Sequence, residues 1–139
     1  MTSNRTVLAI ALTAGVGLMS LGLGGCSSHR DVTIDGPYHL IAEGDEEQMA
    51  VCLDSPGGCI GRIPATVYAV GVDASYVVAA RHPQANRAIT EFYYVIRASD
   101  IPTADTSAAV RGPFDAQAFE AARTQLHLPA LTYELPRLK

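Results

Sequence analysis

The stretch that most constrains this chain is an uncharged apolar segment near its N-terminus. Residues 7–23 carry no charge, and Arg5 is the basic residue that precedes them. A basic residue followed by a short apolar segment is typical of a secretory signal peptide. A membrane-spanning helix needs about 20 apolar residues, and each glycine weakens a helix by roughly 0.8 to 1.0 kcal/mol relative to alanine. The five glycines between positions 15 and 25 therefore make a permanent transmembrane anchor the poorer interpretation.

The apolar segment ends in Leu23-Gly24-Gly25-Cys26. This ending resembles the lipobox of bacterial lipoproteins, in which leucine, two small residues and a cysteine follow the apolar segment. The resemblance implies that the Cys26 thiol receives a diacylglyceryl group and that signal peptidase II cleaves before it. Two acyl chains are enough for stable attachment to a lipid bilayer. We therefore predict a lipoprotein signal peptide at residues 1–25 and a lipidated tether at residues 26–34.

Two other interpretations of the N-terminal segment stay open. One is an ordinary secreted protein cut near Ala14 or Gly25, and the other is an uncleaved anchor. In Gram-negative lipoproteins an aspartate after the lipidated cysteine favours retention in the inner membrane. Ser27 follows Cys26 here, so the resemblance implies an outer-membrane location facing the periplasm if the source has such a membrane.

The remainder of the chain has the size and charge of one small domain. Removing residues 1–25 leaves 114 of the 139 residues, and a domain of that size buries roughly two thirds of its unfolded surface. The mature chain has 9 basic and 14 acidic residues, a formal charge of −5. A nucleic-acid-binding domain is expected to show a basic face, so that class is not favoured. We predict a single α+β domain at residues 35–139.

Cys52 and Cys59 are the two cysteines besides the lipidated one. Disulfides form and persist outside the cytoplasm, so we expect a bridge, with two free buried thiols as the alternative. The Pro-Gly step at 56–57 suits the central positions of a type II turn. A tight hairpin centred there places Cys52 opposite Gly61 and Cys59 opposite Asp54, so a bridge needs a bulge or a wider loop.

Hydrophobic periodicity predicts a small antiparallel meander sheet. The strongest strand is 89–97, whose apolar side chains occupy both faces, so we expect it to be central and covered on both sides. The further segments with strand patterns are residues 31–34, 38–42, 49–53, 65–70, 76–81 and 131–135.

One helix is predicted, and it lies near the C-terminus. Asp115 is placed to act as its N-cap, and Phe114 and Phe119 have the spacing of a hydrophobic staple. Phe119, Ala122 and Leu126 then fall on one stripe of the helix. We expect this stripe to pack on the sheet.

The order of meander and helix is similar to that of small uncharacterised bacterial lipoproteins that carry a domain of unknown function. The matching segments are Ala69-Val70-Gly71-Val72-Asp73, Tyr76-Val77-Val78-Ala79, His82-Pro83, Phe92-Tyr93-Tyr94-Val95-Ile96 and Arg111-Gly112-Pro113. The resemblance covers about residues 67–135 and implies the α+β fold, but it brings no activity with it.

Residues that could bear chemistry are scattered along the chain. His82, beside Arg81 and with Asp73 and Arg97, is a candidate for a polar pocket at one end of the meander; a solvated strand end is the alternative. No histidine pair has zinc-ligand spacing, and the acidic cluster at 43–48 matches no calcium loop. No phosphate-binding glycine loop or activated nucleophile is present. The sequence therefore predicts no catalytic residue, cofactor or metal.

Together these patterns predict a membrane-anchored envelope lipoprotein that is not an enzyme and that binds a protein partner. An inhibitor or immunity lipoprotein that neutralises a periplasmic toxin or hydrolase is the alternative within the same class. An enzyme with a site near His82 is the alternative from another class.

Overall fold

The computed structural model of the chain describes residues 28–139, so the predicted signal peptide and Cys26 lie outside the described residues. The elements are, in chain order, β1 (His29–Asp35), β2 (Tyr38–Glu43), β3 (Ala50–Ser55), β4 (Gly58–Ile63), β5 (Val67–Val72), β6 (Tyr76–Arg81), β7 (Glu91–Ile96), β8 (Val110–Phe114), α1 (Ala116–Leu126) and β9 (Tyr133–Glu134). Within residues 28–139, no helix combines the length and apolar character needed to cross a membrane.

The strands of this region form two antiparallel sheets. The first sheet has the order β1-β2-β3-β4, and the second has the order β8-β7-β6-β5-β9. Consecutive strands pair with each other from β1 to β4 and from β5 to β8, because short turns favour antiparallel neighbours. Strand β9 follows α1 and pairs with β5 at the other edge of the second sheet. The predicted α+β class, with a meander and one C-terminal helix, is confirmed. The structure adds that the strands are divided between two sheets.

The second sheet lies between the first sheet and α1. One core cluster, which includes Leu40, Val51 and Val95, fills the space between the two sheets. A second cluster, which includes Tyr94 and Phe119, joins the other face of the second sheet to α1. Strand β7 contributes Val95 to the first cluster and Tyr94 to the second. The prediction that this strand is covered on both faces is therefore confirmed, and β7 is an interior strand of its sheet.

Helix α1 begins and packs as its sequence predicts. The Asp115 carboxylate accepts a hydrogen bond of 2.7 Å from the backbone N–H of Ala118, which makes it the N-cap. The buried Phe119 ring stacks on Phe92 of β7, with the ring centroids 4.8 Å apart. The helix ends at Leu126, where His127 takes a left-handed backbone conformation that caps the last turn.

The predicted tether at 26–34 needs a correction. Residues 29–34 belong to β1, which pairs along its length with β2. The physical reason is the alternation of apolar residues in this segment, because Val32 and Ile34 pack against the core between the two sheets. The folded domain therefore begins six residues earlier than the predicted boundary at residue 35.

Candidate functional site

The pocket predicted around His82 does not form. Asp73 follows β5 and precedes β6, whereas Arg81 and His82 lie at the far end of β6. Six strand residues span roughly 20 Å, so the two groups lie at opposite ends of the sheet. Arg97 lies at the Asp73 end, where its guanidinium donates a hydrogen bond of 2.5 Å to the Asp73 carbonyl.

His82 itself is a buried residue, with 4% of its surface exposed. Its Nδ1 donates a hydrogen bond of 2.8 Å to the carbonyl of Ile89, and its ring stacks on Tyr68 at a centroid distance of 4.5 Å. Its Nε2 has no hydrogen-bond partner among residues 28–139. The neighbouring Arg81 lies 3.0 Å from the Glu91 carboxylate, although the two groups are not aligned for a hydrogen bond.

A shallow cavity of about 510 Å³ opens beside this region. It is lined by Glu47, Gln48, Pro64, Ala65, Thr66, Arg81, Gln84 and Ala85. His82 is not part of this lining, and its ring stacks on Tyr68. The histidine therefore helps to close the end of the sheet and does not present a free nitrogen to the cavity.

A buried ion pair that the sequence analysis missed connects the two sheets. Arg62 of β4 donates from Nε to Oδ1 of Asp100 at 2.7 Å, and the Tyr38 hydroxyl donates to Oδ2 of the same carboxylate at 2.9 Å. Arg62 also donates to the backbone carbonyls of Ile101 and Thr103, at 2.6 and 3.2 Å. Every oxygen of the carboxylate is thus satisfied. Arg62 lay outside every predicted strand segment, and the sequence signal near it was the hairpin predicted around Pro56-Gly57, whose second arm leads to Arg62.

The same cluster changes the acidity of Tyr38. Burial of the phenol raises the pKa of Tyr38 well above its usual range, and its hydrogen bond to Asp100 adds to this effect. The Arg97 guanidinium lies over the Tyr38 ring, 5.5 Å from its centroid, and forms an ion pair of 2.7 Å with Asp35. Tyr38 therefore stays protonated and acts as a hydrogen-bond donor between the sheets.

The outer face of the first sheet carries a histidine held between two carboxylates. His39 of β2 has Nδ1 at 2.8 Å from Asp31 of β1 and Nε2 at 3.2 Å from Asp54 of β3. Carboxylates only accept hydrogen bonds, so both contacts are complete when both ring nitrogens carry hydrogen. The hydrogen bond to Asp31 raises the pKa of His39, with the Asp54 charge acting in the same direction and partial burial opposing it.

This histidine cluster is not a metal site. Asp31 and Asp54 approach opposite nitrogens of the His39 ring, so the three groups do not converge on one ion. No group of three or more metal-binding side chains is assembled anywhere in the region from Ser28 to Lys139.

Cys52 and Cys59 lie next to this cluster at disulfide distance, with their Cα atoms 5.6 Å apart. The hairpin register is the predicted one, because Cys52 pairs with Gly61 and Cys59 pairs with Asp54. The register shifts between Val51 and Cys52, so a bulge, which was one of the two expected alternatives, is present beside Cys52. A bulge increases the local strand twist, which brings diagonal neighbours of the two strands closer together.

The acidic cluster at 43–48 is tied to arginines. Glu47 forms an ion pair with Arg87, with N–O distances of 2.5 and 2.9 Å. Its hydrogen bonds to Arg87 lower the pKa of Glu47. Glu46 pairs with Arg30 of β1. Two of the cluster's carboxylates therefore connect the β2–β3 turn to other parts of the domain.

Comparison with known proteins adds no relative. The chain matches no protein-family model, no curated protein and no solved structure.

Proposed function

We propose that this protein is a lipid-anchored bacterial envelope lipoprotein whose folded domain binds a protein partner and is not an enzyme. The observation that carries the proposal is the uncharged segment at 7–23 followed by Leu23-Gly24-Gly25-Cys26. In this proposal the acylated Cys26 attaches the chain to a bilayer, which is the outer membrane facing the periplasm if the source is Gram-negative.

The position of the domain supports this anchoring. β1 begins at His29, three residues after Cys26, and three extended residues span at most about 11 Å. A lipid on Cys26 would hold the start of β1 close to the membrane surface. The opposite end of the domain, which includes the turn before Tyr38 and the loop after Arg97, would point away from the bilayer.

The positions and partners of the polar side chains support a binding role without catalysis. Arg62, Asp100 and Tyr38 satisfy one another inside the fold. Asp73 lies at the opposite end of β6 from His82, so these two residues cannot share a catalytic site. Catalysis by a nucleophile or a general base requires such groups within hydrogen-bond reach of each other or of one substrate.

The proposed location also accounts for the cysteine pair. Outside the cytoplasm, thiols at this distance are expected to oxidise, so we assign Cys52 and Cys59 as a disulfide of the exported protein. This bond would crosslink β3 and β4 at the free edge of the first sheet.

Metabolic labelling with an alkyne analogue of palmitate tests the anchor. The wild-type chain is expected to carry the label and to fractionate with membranes, whereas Cys26→Ser should lose the label and accumulate as unprocessed precursor. The matched control replaces both other cysteines, Cys52→Ala with Cys59→Ala, and should still be labelled. Normal labelling and processing of Cys26→Ser would contradict the proposal.

A further inference from the structure

The two sheets have four edge strands, and three of them are protected against pairing with another chain. β8 contains Pro113, which lacks a backbone N–H, and β9 has only two residues. β4 is disrupted by the register shift at Arg62 and is rich in glycine. β1 is the fourth edge, with seven residues and neither proline nor glycine. Its one irregularity falls between Thr33 and Asp35, so residues 29–33 form a regular edge.

The charged residues of β1 protect this edge less than unpaired charges would. Charged side chains on an edge strand normally discourage strand addition because an incoming strand would have to desolvate them. On β1 each acidic or arginine side chain is already paired with its own domain. The pairs are Arg30 with Glu46, Asp31 with His39, and Asp35 with Arg97.

An apolar slot runs beside the β1 edge, between the two sheets. Its volume is about 180 Å³, and its lining includes Val32 and Ile34 of β1, Val70 and Val72 of β5, and Tyr133 of β9. Strand β9 borders the slot and pairs with only two residues of β5. Tyr133 lies at its rim and is 40% exposed.

We propose that the β1 edge binds an extended segment of a partner protein as an additional strand of the first sheet. The partner segment has apolar side chains at alternate positions, and these enter the slot between Val32, Ile34 and Tyr133. In this binding mode the main-chain hydrogen bonds supply affinity, and the pockets for alternate side chains supply specificity. The inference rests on the proposed protein-binding function and names the surface that performs it.

A second copy of the chain fits this edge less well than a partner segment. Two β1 edges that pair in antiparallel fashion place their N-terminal ends at opposite ends of a seven-residue strand, roughly 20 Å apart. Both copies would have to reach the same bilayer through the two residues between Cys26 and His29. A partner segment has no such constraint and can run in either direction.

The test uses the full-length chain isolated from membranes and two synthetic peptides of equal composition. The first peptide has valines at alternate positions separated by threonine and lysine, and the second has its valines contiguous. Binding is measured by fluorescence anisotropy, and hydrogen exchange of backbone amides is followed by mass spectrometry. The alternating peptide is expected to bind more tightly and to slow exchange in residues 29–33, while exchange in β4 and β8 stays unchanged.

Two lysine substitutions locate the contact. Tyr133→Lys places a charge at the rim of the slot and should weaken binding about tenfold. Ile89→Lys is the matched control, because Ile89 is 48% exposed, lies in the loop before β7 and is not part of the slot. Ile89→Lys should leave the affinity for the alternating peptide within about twofold of the wild-type value. Both positions are exposed, so neither substitution is expected to prevent folding.

Several outcomes would overturn the proposal. They are equal affinity for the two peptides, equal effects of the two lysine substitutions, protection of β4 or β8 in place of β1, and no binding. Protection of β1 before peptide is added would assign the slot to another occupant. That occupant would be a second copy if sedimentation shows a dimer, and the chain's own N-terminal segment if it does not. Failure of peptide binding in a chain that still carries the Cys26 label would contradict only this inference.

Discussion

Asp100 accepts a hydrogen bond of 2.7 Å from Arg62, and the exposed fractions of the two side chains are only 2% and 0%. Arg62 belongs to β4 of the first sheet, and Asp100 follows β7 of the second. The pair therefore joins the two sheets across their interface. Removing one partner of a buried ion pair leaves an uncompensated buried charge, which costs far more than the loss of an exposed pair.

Asp100→Asn should lower the free energy of unfolding by about 3 to 5 kcal/mol, because the Arg62 guanidinium stays buried without its counter-charge. Urea unfolding measures this change. Glu120→Gln is the control, because Glu120 forms an exposed pair with Arg123 on α1, and such pairs contribute up to about 1 kcal/mol. Equal small effects of both substitutions would show that the Arg62–Asp100 pair does not hold the sheets together.

The contribution of His39 to stability should decrease as the pH rises. Its pKa is raised in the folded protein, so the fold favours the protonated form. The stabilisation is fully present below the unfolded pKa of about 6.5 and is lost as the pH passes through the folded value. His39→Gln should therefore destabilise the domain more at about pH 5.5 than at about pH 8.5. His29→Gln is the control, because His29 is an exposed histidine of β1. If both variants showed the same pH dependence of stability, the Asp31–His39–Asp54 cluster would not be the source of that dependence.

Non-reducing peptide mapping of the exported protein should recover Cys52 and Cys59 in one linked peptide. A bridge that closes this short loop stabilises a domain by about 2.5 kcal/mol in the chain-entropy model. The double variant Cys52→Ala with Cys59→Ala should lose about that amount in urea unfolding. Two alkylatable thiols in the native exported protein would exclude the bridge.

Gly71→Ala should destabilise the domain by at least about 1 to 3 kcal/mol, because the added methyl group overpacks a filled site. A Cβ atom at Gly71 would lie 1.9 Å from the backbone carbonyl oxygen of Ala130. Gly61→Ala is the matched control on β4, since no atom lies within 4 Å of its added Cβ. Thermal unfolding of both variants measures the difference, and a tolerated Gly71→Ala would mean that residues 130–135 do not pack closely on β5.

Local patterns in the sequence were enough to predict several elements. The apolar side chains on both faces of β7 predicted its position between two layers, and Asp115 predicted the start of α1. The Pro-Gly step at 56–57 predicted the register that pairs Cys52 with Gly61. These features depend on residues close together in the chain, so periodicity and capping rules can predict them.

The sequence by itself determined the α+β class, the helix, most of the strand patterns and the hairpin register that places Cys52 near Cys59, but it indicated no strand at β8. Only the tertiary structure decided how the strands divide into two sheets, and only it brought Arg62 to Asp100 across 38 positions of the chain. The tertiary structure also decided that His82 is separated from Asp73 and that a slot lies beside Tyr133. The physical reason is that residues close together in the chain set the hydrophobic periodicity and the turns of each segment. Ion pairs and slots between sheets depend instead on which layers pack together.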